Sequence, residues 1–425
     1  MTTSIAEQFI KSITKNYNFS HDQESAFLDI IDGGNVLLSG SAGSGKSYLL
    51  SAIKDFYKDK IALTSTTGIS SLNVGGRTLH SFFGIYKLDK FDFEKTINKI
   101  VEKSGKEIRR LKAIVIEECS MLDSFVFTLV DYAMRQTMNT DIPFGGKQII
   151  LVGDFMQLPP VECLTQIFEC DSFLNGNFKT HYLTSNHRQD VNSEFYKILQ
   201  ECRYNKLSRQ SLITLRSRET NNPPHDILHI YATNKENDFW NNKMFNKLSG
   251  QIKNYLSDDF VAHSAYAKYL DNGCLAEREL KLKNNARVIL LRNLDFEHGL
   301  VNGSCGYVRD MQKNQVVVEF DNGEIRTIKP TVWSWTQRDD VIASRKQIPL
   351  KLAYSITVHK SQGMTLDRAY IDLTKIFAEG QAYVALSRLR TLDGLYLKGV
   401  KSTSFRTNVK AKHFYEQIEN ELKEK

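Results

Sequence analysis

A glycine-rich segment near the start of the sequence has the residue types and spacing of a phosphate-binding loop. Gly40, Gly45, Lys46 and Ser47 form the pattern G-x-x-x-x-G-K-S, which follows an apolar run at residues 36–38. Glycines let successive backbone N–H groups converge on an anion, and the helix that begins after the loop adds positive potential. The Lys46 ammonium can reach the β- and γ-phosphates of a nucleotide, and the Ser47 hydroxyl can bind Mg²⁺. The sequence therefore predicts a P-loop whose cofactors are ATP and Mg²⁺.

Acidic residues after a second apolar run complete the chemistry that such a site needs. Residues 111–116 are typical of a buried β-branched strand, and Glu117 and Glu118 come directly after it. In this arrangement one carboxylate serves Mg²⁺ and the next polarises the attacking water. A further strand over residues 148–152 leads to Gln157, whose amide is placed to read the γ-phosphate. These segments predict an ATP hydrolase.

The composition is that of an ordinary folded protein. The chain has 425 residues, 41% of them apolar, and a net charge of +7. The length predicts two or three domains, and the charge fits either a local basic groove for a polyanion or an average soluble protein. Six cysteines without a C-x-x-C pair favour reduced thiols in a cytosol-like compartment. With no secretory signal pattern and no apolar run of ~18 residues, we expect a soluble protein, cytoplasmic or nucleoid-associated, with no membrane partner.

Two segments allow alternative interpretations. Ser20 and Gln23 have the spacing of a helix capping box, yet a glutamine just upstream of a P-loop can also bind the edge of adenine. His80, Phe82 and Phe83 offer ring faces for base stacking, but core packing is the favoured interpretation of the two phenylalanines. Position in the sequence alone does not separate these roles.

Part of the second half of the chain has the sequence pattern of short β-strands. Short β-patterned runs between residues 284 and 330 are separated by Asn-Gly pairs at 302–303 and 322–323, which are hairpin signals. They predict a small β-barrel inserted in a second α/β lobe. In the first half, residues 85–110 are charged and lysine-rich, and we predict that they form a small excursion from the first sheet.

The set of motifs resembles the superfamily 1 helicases and, within them, the PIF (petite integration frequency) family of 5′→3′ DNA helicases, which is related to the RecD-like enzymes. The resemblance runs from about residue 20 to about residue 400, with the motifs in the family's order. The segments most specific to the family are residues 66–69 (TTGI), 78–83 (TLHSFF), 143–148 (PFGGKQ), 153–161 (GDFMQLPPV), 359–363 (HKSQG) and 385–388 (ALSR).

This resemblance implies an α/β fold with two RecA-like P-loop lobes, parallel sheets flanked by helices, that face each other across the nucleotide. Lobe one would comprise residues 1–183 and contain a wedge over 85–110 that splits the duplex. Lobe two would comprise residues 184–425 and contain an SH3-like β insertion over about 250–348.

The resemblance also implies roles for the residues of the ATP site. The catalytic residues would be Lys46, Glu118, Gln157, Arg188 and Arg388. The two arginines would act as arginine fingers from the second lobe, which would tie hydrolysis to lobe closure. The nucleotide would be bound by Gln23, Gly43, Ser44, Gly45, Lys46, Ser47 and Gly363. Mg²⁺ would be held by Ser47 and Glu117.

Single-stranded DNA would lie across both lobes. Its contacts would come from Thr67, Gly68, His80, Ser81, Phe82, Pro160, Thr233, Asn234, His359, Lys360 and Ser361. Affinity from phosphate contacts and base stacking would fall with salt. The implied partners are single-stranded and forked duplex DNA, bound by a monomer that serves replication, repair or recombination. The direction of movement and any preference for RNA–DNA hybrids or G-quadruplexes come from the resemblance alone.

One residue departs from the family's pattern, because Glu117 stands where the family usually has aspartate. Its longer side chain either binds Mg²⁺ directly rather than through water, or lowers Mg²⁺ affinity or turnover. Three other functions stay open: a nucleotide-dependent switch or chaperone-like ATPase, a nucleic-acid binder that has lost hydrolysis through this change, and an RNA-directed relative. The second lobe and the arginine-bearing segments favour the DNA helicase.

Overall fold

The computed structural model describes residues 17–424 except for short gaps at 68–69, 72–73, 86–91, 161–162, 164, 225–226, 268–269, 271–273, 293, 296–297, 299, 301–303 and 338–339. The chain divides into two units. Unit 1 comprises Met1–Ile213, Phe377–Leu392 and Lys401–Lys425. Unit 2 comprises Thr214–Ile376 and Asp393–Val400.

A six-stranded parallel sheet forms the centre of unit 1. Its strands are β1 (Val36–Gly40), β2 (Ile61–Ser65), β3 (Arg77–Thr78), β4 (Ala113–Glu117), β5 (Gln148–Gly153) and β6 (Lys179–Leu183). Their order across the sheet is β3-β2-β4-β5-β1-β6, with every pair parallel. Because β1 and β5 are buried along their whole length, their sequences are almost continuously apolar. The carboxyl ends of all six strands meet at one edge, where loops can build a site.

Helices connect the strands. In the part of the chain that the structure describes, they are α1 (His21–Ile31), α2 (Lys46–Tyr57), α3 (Leu79–Phe83), α4 (Phe93–Arg110), α5 (Ser124–Met138), α6 (Asp171–Leu174), α7 (Glu194–Arg203), α8 (Arg209–Ser217), α9 (Asn234–Lys247), α10 (Val358–Ser361), α11 (Gln381–Leu386) and α12 (Val409–Glu424). Alternate residues of the central strands enter two separate apolar clusters. The cluster with Leu37 and Ile114 includes side chains of α4, α5 and α12, and the cluster with Val36 and Val115 includes those of α1 and α2.

Helix α4 lies in the core of unit 1. Ile97, Ile100 and Ile108 recur at helical spacing and are buried in the same cluster as α5. The charged residues of the segment therefore cover only the other face of the helix. The assignment of residues 85–110 as a small excursion from the first sheet stays a prediction. Residues 86–91 of that prediction lie outside the described residues.

The helix α12 completes the core of unit 1 from the far end of the chain. The hydroxyl of Tyr415 lies 2.6 Å from Ser39 Oγ, at the end of β1, and accepts a hydrogen bond from Phe155 N at 3.0 Å. The ring of Phe414 stacks on Phe168, with centroids 4.5 Å apart. This helix therefore anchors the loops that leave two neighbouring strands.

Unit 2 combines a parallel sheet with antiparallel strands. Its strands are β7 (Leu228–Tyr231), β8 (Lys253–Leu256), β9 (Asp258–Val261), β10 (Glu279–Leu282), β11 (Arg287–Leu290), β12 (Cys305–Gln312), β13 (Gln315–Phe320), β14 (Ile325–Ile328), β15 (Thr331–Gln337), β16 (Asp340–Gln347), β17 (Leu350–Leu352), β18 (Ser355–Thr357), β19 (Ala369–Asp372) and β20 (Leu395–Lys398). The parallel sheet has the order β18-β7-β19-β20.

The antiparallel strands lie between β7 and β18 in the sequence, where the β insertion was predicted. They form sheets of the order β14-β13-β12-β11-β17, β15-β16-β9 and β10-β8. The predicted Asn-Gly turn at Asn322 and Gly323 joins β13 to β14, and Gly323 has a φ of 87°. The predicted turn at 302–303 lies outside the described residues. The prediction of an α/β fold with a β insertion is confirmed.

The two units divide the chain at other positions than the predicted lobes. The predicted boundary lies between residues 183 and 184, whereas unit 1 continues to Ile213 and includes two later segments. The boundaries of the lobes therefore stay a prediction. Arg188 and Arg388 lie in unit 1, whereas the sequence prediction placed both in the second lobe. The physical reason is a set of hydrogen bonds between these later segments and the P-loop, over sequence separations that a motif order does not reveal.

Among the described residues, no helix combines the length and the apolar character that crossing a bilayer requires.

Candidate nucleotide-binding site

The P-loop joins β1 to α2 and turns at a glycine. Gly45 has a φ of 86°, in the left-handed region that favours glycine, and α2 begins at the next residue. Lys46 Nζ donates hydrogen bonds to the carbonyls of Gly40 (2.8 Å) and Ser41 (2.9 Å) and lies 3.3 Å from Ser44 Oγ. Burial lowers the pKa of the Lys46 ammonium. The lysine is therefore held inside the loop in a desolvated position, where an anionic ligand would stabilise its charge.

The loop that follows β6 clamps the P-loop from one side. Asn186 Nδ2 donates to the carbonyl of Ala42 at 2.8 Å, and His187 N donates to the carbonyl of Gly43 at 2.8 Å. Asn186 Oδ1 accepts hydrogen bonds from Arg188 N (2.9 Å) and Gln189 N (2.8 Å). A Cβ on Gly43 would lie 2.7 Å from the Cβ of Arg188, so only glycine fits between the two loops. Asn186 thus fixes Arg188 relative to the phosphate-binding loop.

The segment around α11 meets the same two loops. Arg188 Nη1 donates to the carbonyl of Ser387 at 2.9 Å, and Gln189 Nε2 donates to the carbonyl of Leu389 at 2.7 Å. Gly380, which precedes α11, has a φ of 70° and lies so close to the Gln157 carbonyl that a Cβ would be 2.5 Å away. The segment that carries Arg388 is therefore packed against both the β6 loop and the loop after β5.

Arg188 and Arg388 bring further positive charge to the surroundings of the P-loop. Arg388 is buried and donates to the carbonyl of Val384 at 2.8 Å and to Ser387 Oγ at 2.9 Å. Burial and, after it, the nearby Arg388 lower the pKa of Arg188 to about 9, while Glu118 acts in the opposite direction. Burial also lowers the pKa of Arg388, again against the effect of Glu118. The two guanidinium groups share one desolvated region, and an anion beside them would relieve their repulsion.

Glu118 stands at the carboxyl end of β4 in a strained conformation. Its φ of 53° and ψ of 42° are left-handed, which is unusual for a residue with a side chain and is concentrated at functional sites. Thr66 Oγ1 donates a hydrogen bond to its carbonyl at 3.0 Å. The electrostatic influence of its carboxylate reaches Lys46, Arg188 and Arg388. Glu118 is therefore placed among all three cations.

Glu117 has the chemistry of a magnesium ligand. Its Oε2 is buried and has no hydrogen-bond partner among the described residues. Burial, followed by the charge of Glu118, raises the pKa of Glu117 to about 8. A buried carboxylate oxygen without a donor, together with the Ser47 hydroxyl, supplies the hard oxygen ligands that Mg²⁺ prefers. No cluster of three or more His, Cys, Asp or Glu side chains suited to a metal occurs in the described ranges.

Gln23 fulfils the capping role and also reaches the P-loop. Its Oε1 accepts a hydrogen bond from Ser20 N at 3.0 Å, so the predicted capping box exists. Its Nε2 lies 3.5 Å from the carbonyl of Gly45. The structure thus contains the capping box, and the adenine contact of this glutamine stays a prediction.

The sequence motifs did not reveal a buried ion pair beneath the site. Asp154 follows β5, and Arg203 ends α7; Nη2 of the arginine lies 2.7 Å from Oδ1 of the aspartate, with both side chains completely buried. Arg203 Nη1 also donates to the hydroxyls of Tyr182 (2.6 Å) and Tyr204 (2.9 Å). An arginine on the apolar face of α7, beside Cys202, was the available signal.

Three predicted DNA-binding residues of unit 1 lie in turns after β2 and β3. Thr67 Oγ1 accepts a hydrogen bond from Ser70 N at 3.2 Å. His80 and Ser81 are partly exposed in the first turn of α3, and burial lowers the pKa of His80. A neutral imidazole and a hydroxyl are thus presented at the carboxyl edge of the sheet. Gly68 lies outside the described residues.

Phe82 lies in the hydrophobic core and is only 2% exposed. Its ring packs edge-on against Phe83, with centroids 4.8 Å apart. The core-packing interpretation fits these contacts, and the implied DNA contact of Phe82 stays a prediction. Pro160 is also buried, and its contact with DNA stays a prediction.

Predicted DNA-binding residues of unit 2 cluster at the ends of two adjacent strands. Thr233 caps α9 after β7, accepting from Glu236 N, and Asn234 is exposed beside it. His359 and Lys360 begin the turn after β18, which pairs with β7. Burial lowers the pKa of both His359 and Lys360. These four side chains therefore share one edge of the unit 2 sheet.

Two other predicted residues of unit 2 differ in exposure. Ser361 is completely buried and donates to the carbonyl of Val358 at 2.7 Å, and its contact with DNA stays a prediction. Gly363, predicted to bind nucleotide, is exposed in unit 2 with a φ of 81°.

Comparison with known proteins gives a consistent result. The family described as PIF1-like helicase matches residues 18–210, and the DNA helicase Pif1, 2B domain matches residues 265–311. The chain is 34% identical over 423 residues to the ATP-dependent DNA helicase PIF1 of Xenopus laevis, covering 96% of this chain and 66% of that protein. It is 31% identical over 414 residues to the ATP-dependent DNA helicase Pif1 of Bdellovibrio bacteriovorus, covering 94% of this chain and 92% of the relative.

Solved structures agree with these relatives. The Pif1 helicase from Candida albicans has a TM-score of 0.82 and 31% identity, covering 94% of this chain and 99% of that one. A Bacteroides Pif1 bound to single-stranded DNA has a TM-score of 0.69 and 28% identity, covering 95% and 97%. The chain spans 66%, 64% and 49% of the length of the first three curated relatives that it matches. With a relative 31% identical over almost the whole of both sequences, the chain belongs to the PIF1-like helicase family.

Proposed function

We propose that this chain is an ATP-dependent DNA helicase that uses ATP hydrolysis to move 5′→3′ along single-stranded DNA and to unwind a duplex. The observation that carries the proposal is the meeting of one glutamate and three cations at a single P-loop: Glu118, Lys46, Arg188 and Arg388. Such a set suits phosphoryl transfer, in which charge spreads over the terminal phosphate. The names of the curated relatives support ATP as cofactor and DNA as substrate.

The roles of the site residues follow from their positions. Lys46 would move from the P-loop carbonyls to the β- and γ-phosphates, and Glu118 would accept a proton from the attacking water. Arg188 and Arg388 would stabilise the charge that develops as the bond to the leaving phosphate breaks. Mg²⁺, when bound by Glu117 and Ser47, would neutralise phosphate charge. Gln157 would contact the γ-phosphate. Because its backbone carbonyl lies beside Gly380, this contact would affect the segment that precedes α11.

For DNA, we propose contacts at the strand-end edge of each unit's parallel sheet. The accessible candidates are Thr67, His80, Ser81, Thr233, Asn234, His359 and Lys360. They offer hydroxyl, amide, imidazole and ammonium groups, which suit phosphates and base edges without sequence preference. The solved Bacteroides Pif1 with single-stranded DNA supports this partner. Binding should weaken with added salt, because it depends on phosphate contacts.

The antiparallel strands of unit 2 would serve as the SH3-like insertion. The match of residues 265–311 to the DNA helicase Pif1, 2B domain supports this assignment. The lobe boundaries and the wedge role of the segment near α4 remain proposals.

The experiment measures ATP hydrolysis with and without a single-stranded oligonucleotide, together with unwinding of partial duplexes that carry either a 5′ or a 3′ tail. Stimulation by the oligonucleotide and unwinding of only the 5′-tailed duplex are expected. Unwinding of only the 3′-tailed duplex would overturn the direction, and hydrolysis indifferent to DNA would favour a nucleotide-dependent switch.

A pair of variants tests the catalytic assignment. Glu118→Gln should abolish hydrolysis while leaving single-stranded DNA binding intact. The matched control is Glu24→Gln, on the exposed face of α1, which should behave as wild type. Normal hydrolysis by Glu118→Gln, with loss in Glu117→Gln, would exchange the roles of the two glutamates.

A further inference from the structure

A tyrosine of α11 makes a direct hydrogen bond to the P-loop. Tyr383 is 3% exposed, and its hydroxyl accepts a hydrogen bond from Ala42 N at 3.1 Å. Ala42 is the second of the four variable residues between Gly40 and Gly45. The phenol therefore lies on the backbone that would surround the phosphates of a nucleotide.

The surroundings of this phenol keep it neutral. Burial and, after it, the charge of Asp154 raise the pKa of Tyr383 to about 12, against the effects of Arg203 and Arg388. The hydroxyl in turn influences both Arg188 and Arg388. At neutral pH the group is thus a protonated donor set among the charged residues of the site.

The hydrogen-bonding capacity of the hydroxyl is only half used. A phenol can accept a hydrogen bond and donate one. The oxygen accepts from Ala42 N, but within the described ranges the proton of Tyr383 has no protein acceptor. A buried donor left without an acceptor is costly, so such a group usually has a partner. The anionic oxygens of a nucleotide phosphate are hydrogen-bond acceptors, and a P-loop is where such a phosphate binds.

We propose that Tyr383 is a further catalytic residue of the ATP site, whose hydroxyl donates a hydrogen bond to the terminal phosphate of the bound nucleotide while it holds Ala42 of the P-loop. This inference rests on the proposed ATP hydrolysis and extends it to a residue outside the predicted set. The donor strengthens as negative charge builds up on the phosphate, and it belongs to the same helix that leads to Arg388. Tyr383 would thus couple the arrival of the phosphate to the position of that arginine.

The test removes only the hydroxyl. Tyr383→Phe keeps the ring and the packing, and its kcat for DNA-stimulated ATP hydrolysis should fall about 100-fold, the size of the effect of losing one preorganised donor. Affinity for ADP, which lacks the terminal phosphate, should stay at the wild-type value, whereas affinity for ADP with aluminium fluoride should fall in parallel with kcat.

A matched control is available on α2. Tyr57 is also buried, and its hydroxyl contacts the Ile30 carbonyl (2.9 Å) and Gln148 Oε1 (2.6 Å) at the far end of that helix from the P-loop. Tyr57→Phe should change thermal stability but not kcat. Thermal unfolding of both free variants verifies that they fold.

The outcomes separate this inference from the function on which it rests. Wild-type kcat and wild-type affinity for ADP with aluminium fluoride in Tyr383→Phe would overturn it, as would an equal loss of ADP affinity, since the hydroxyl would then only shape the loop. A wild-type protein without DNA-stimulated hydrolysis would defeat the proposed function instead. In that case the affinities of Tyr383→Phe for ADP and for ADP with aluminium fluoride still show whether the hydroxyl contacts the terminal phosphate.

Discussion

Arg203 and Asp154 form an ion pair that is closed to solvent on both sides, with Nη2 2.7 Å from Oδ1. The pair joins the end of α7 to the turn after β5, and its guanidinium also lies over the ring of Tyr415. Because Asp154 additionally accepts from Met156 N, the pair holds the segment that leads to Gln157.

Removing the arginine should destabilise unit 1 strongly. Arg203→Met leaves the carboxylate of Asp154 buried without its partner, which costs about 3–5 kcal/mol in comparable cases. The control is Lys410→Met, since Lys410 and Glu169 form an ion pair in the same unit in which the lysine is 53% exposed; its loss should cost less than about 1 kcal/mol. Thermal unfolding of both variants measures the difference. Equal shifts in Tm would contradict the structural importance of the buried pair.

Substitution of a glycine that is surrounded closely by other atoms should reduce activity more than substitution of a glycine in open space. Gly380→Ala places a Cβ 2.5 Å from the Gln157 carbonyl, so the segment of Arg388 must shift. Gly250 also has a positive φ, of 102°, but a Cβ there would have nothing within 4 Å. Both changes introduce a strain of about 1–2 kcal/mol per residue. Only Gly380→Ala should also reduce kcat for ATP hydrolysis, by about tenfold or more. Steady-state ATP hydrolysis is measured for both variants at equal concentrations of folded protein. Similar kcat values would refute the inference that packing at Gly380 positions Arg388.

The pKa of Glu117 predicts a pH dependence of stability without nucleotide and metal. Burial raises this pKa to about 8, so between the ordinary value of a glutamate and pH 8 the folded protein binds more protons here than the unfolded chain. Stability from this group therefore falls as the pH rises through that interval. Glu117→Gln removes the titration and should be more stable than wild type at pH 8, with a smaller gain at pH 5. Thermal unfolding in EDTA, with Glu24→Gln as control, measures this; a gain that is larger at pH 5 would reverse the sign.

Substitution of Phe82 separates a core role from a DNA-stacking role. Phe82→Ala should lower the free energy of unfolding by about 3–5 kcal/mol, because the ring is buried. Its affinity for single-stranded DNA per folded molecule should match wild type. Phe239→Ala, at a ring that is 66% exposed on α9, should have little effect on stability. Fluorescence anisotropy with a labelled oligonucleotide and thermal unfolding supply the two readouts, and a selective loss of DNA affinity in Phe82→Ala would restore the stacking interpretation.

Much of the site was predictable because its residues follow buried strands. Lys46, Glu118 and Gln157 come after apolar runs, and parallel strands present their carboxyl ends at a single edge. The β insertion was visible in its alternation and in the turn at Gly323. These features depend on local sequence, which a single chain displays directly.

The features that escaped prediction depend on contacts between distant segments. The bond from Ala42 N to Tyr383 spans 341 positions, and Arg188 reaches Ser387 over 199. No local pattern encodes these partners, so the sequence did not indicate that Arg188 and Arg388 lie in the same unit as the P-loop. The left-handed conformation of Glu118 has the same origin, since tertiary packing imposes it against the residue's intrinsic preference.

The hydrogen bond between Ser39 and Tyr415 spans 376 positions, and this has a consequence for biosynthesis. A ribosome adds about 5–20 residues per second, so about 20–75 s pass between the synthesis of Ser39 and that of Tyr415. All of unit 2, Thr214–Ile376 and Asp393–Val400, is made within that interval. An incomplete nascent chain would therefore expose the apolar surface that α12 covers until this helix has been made.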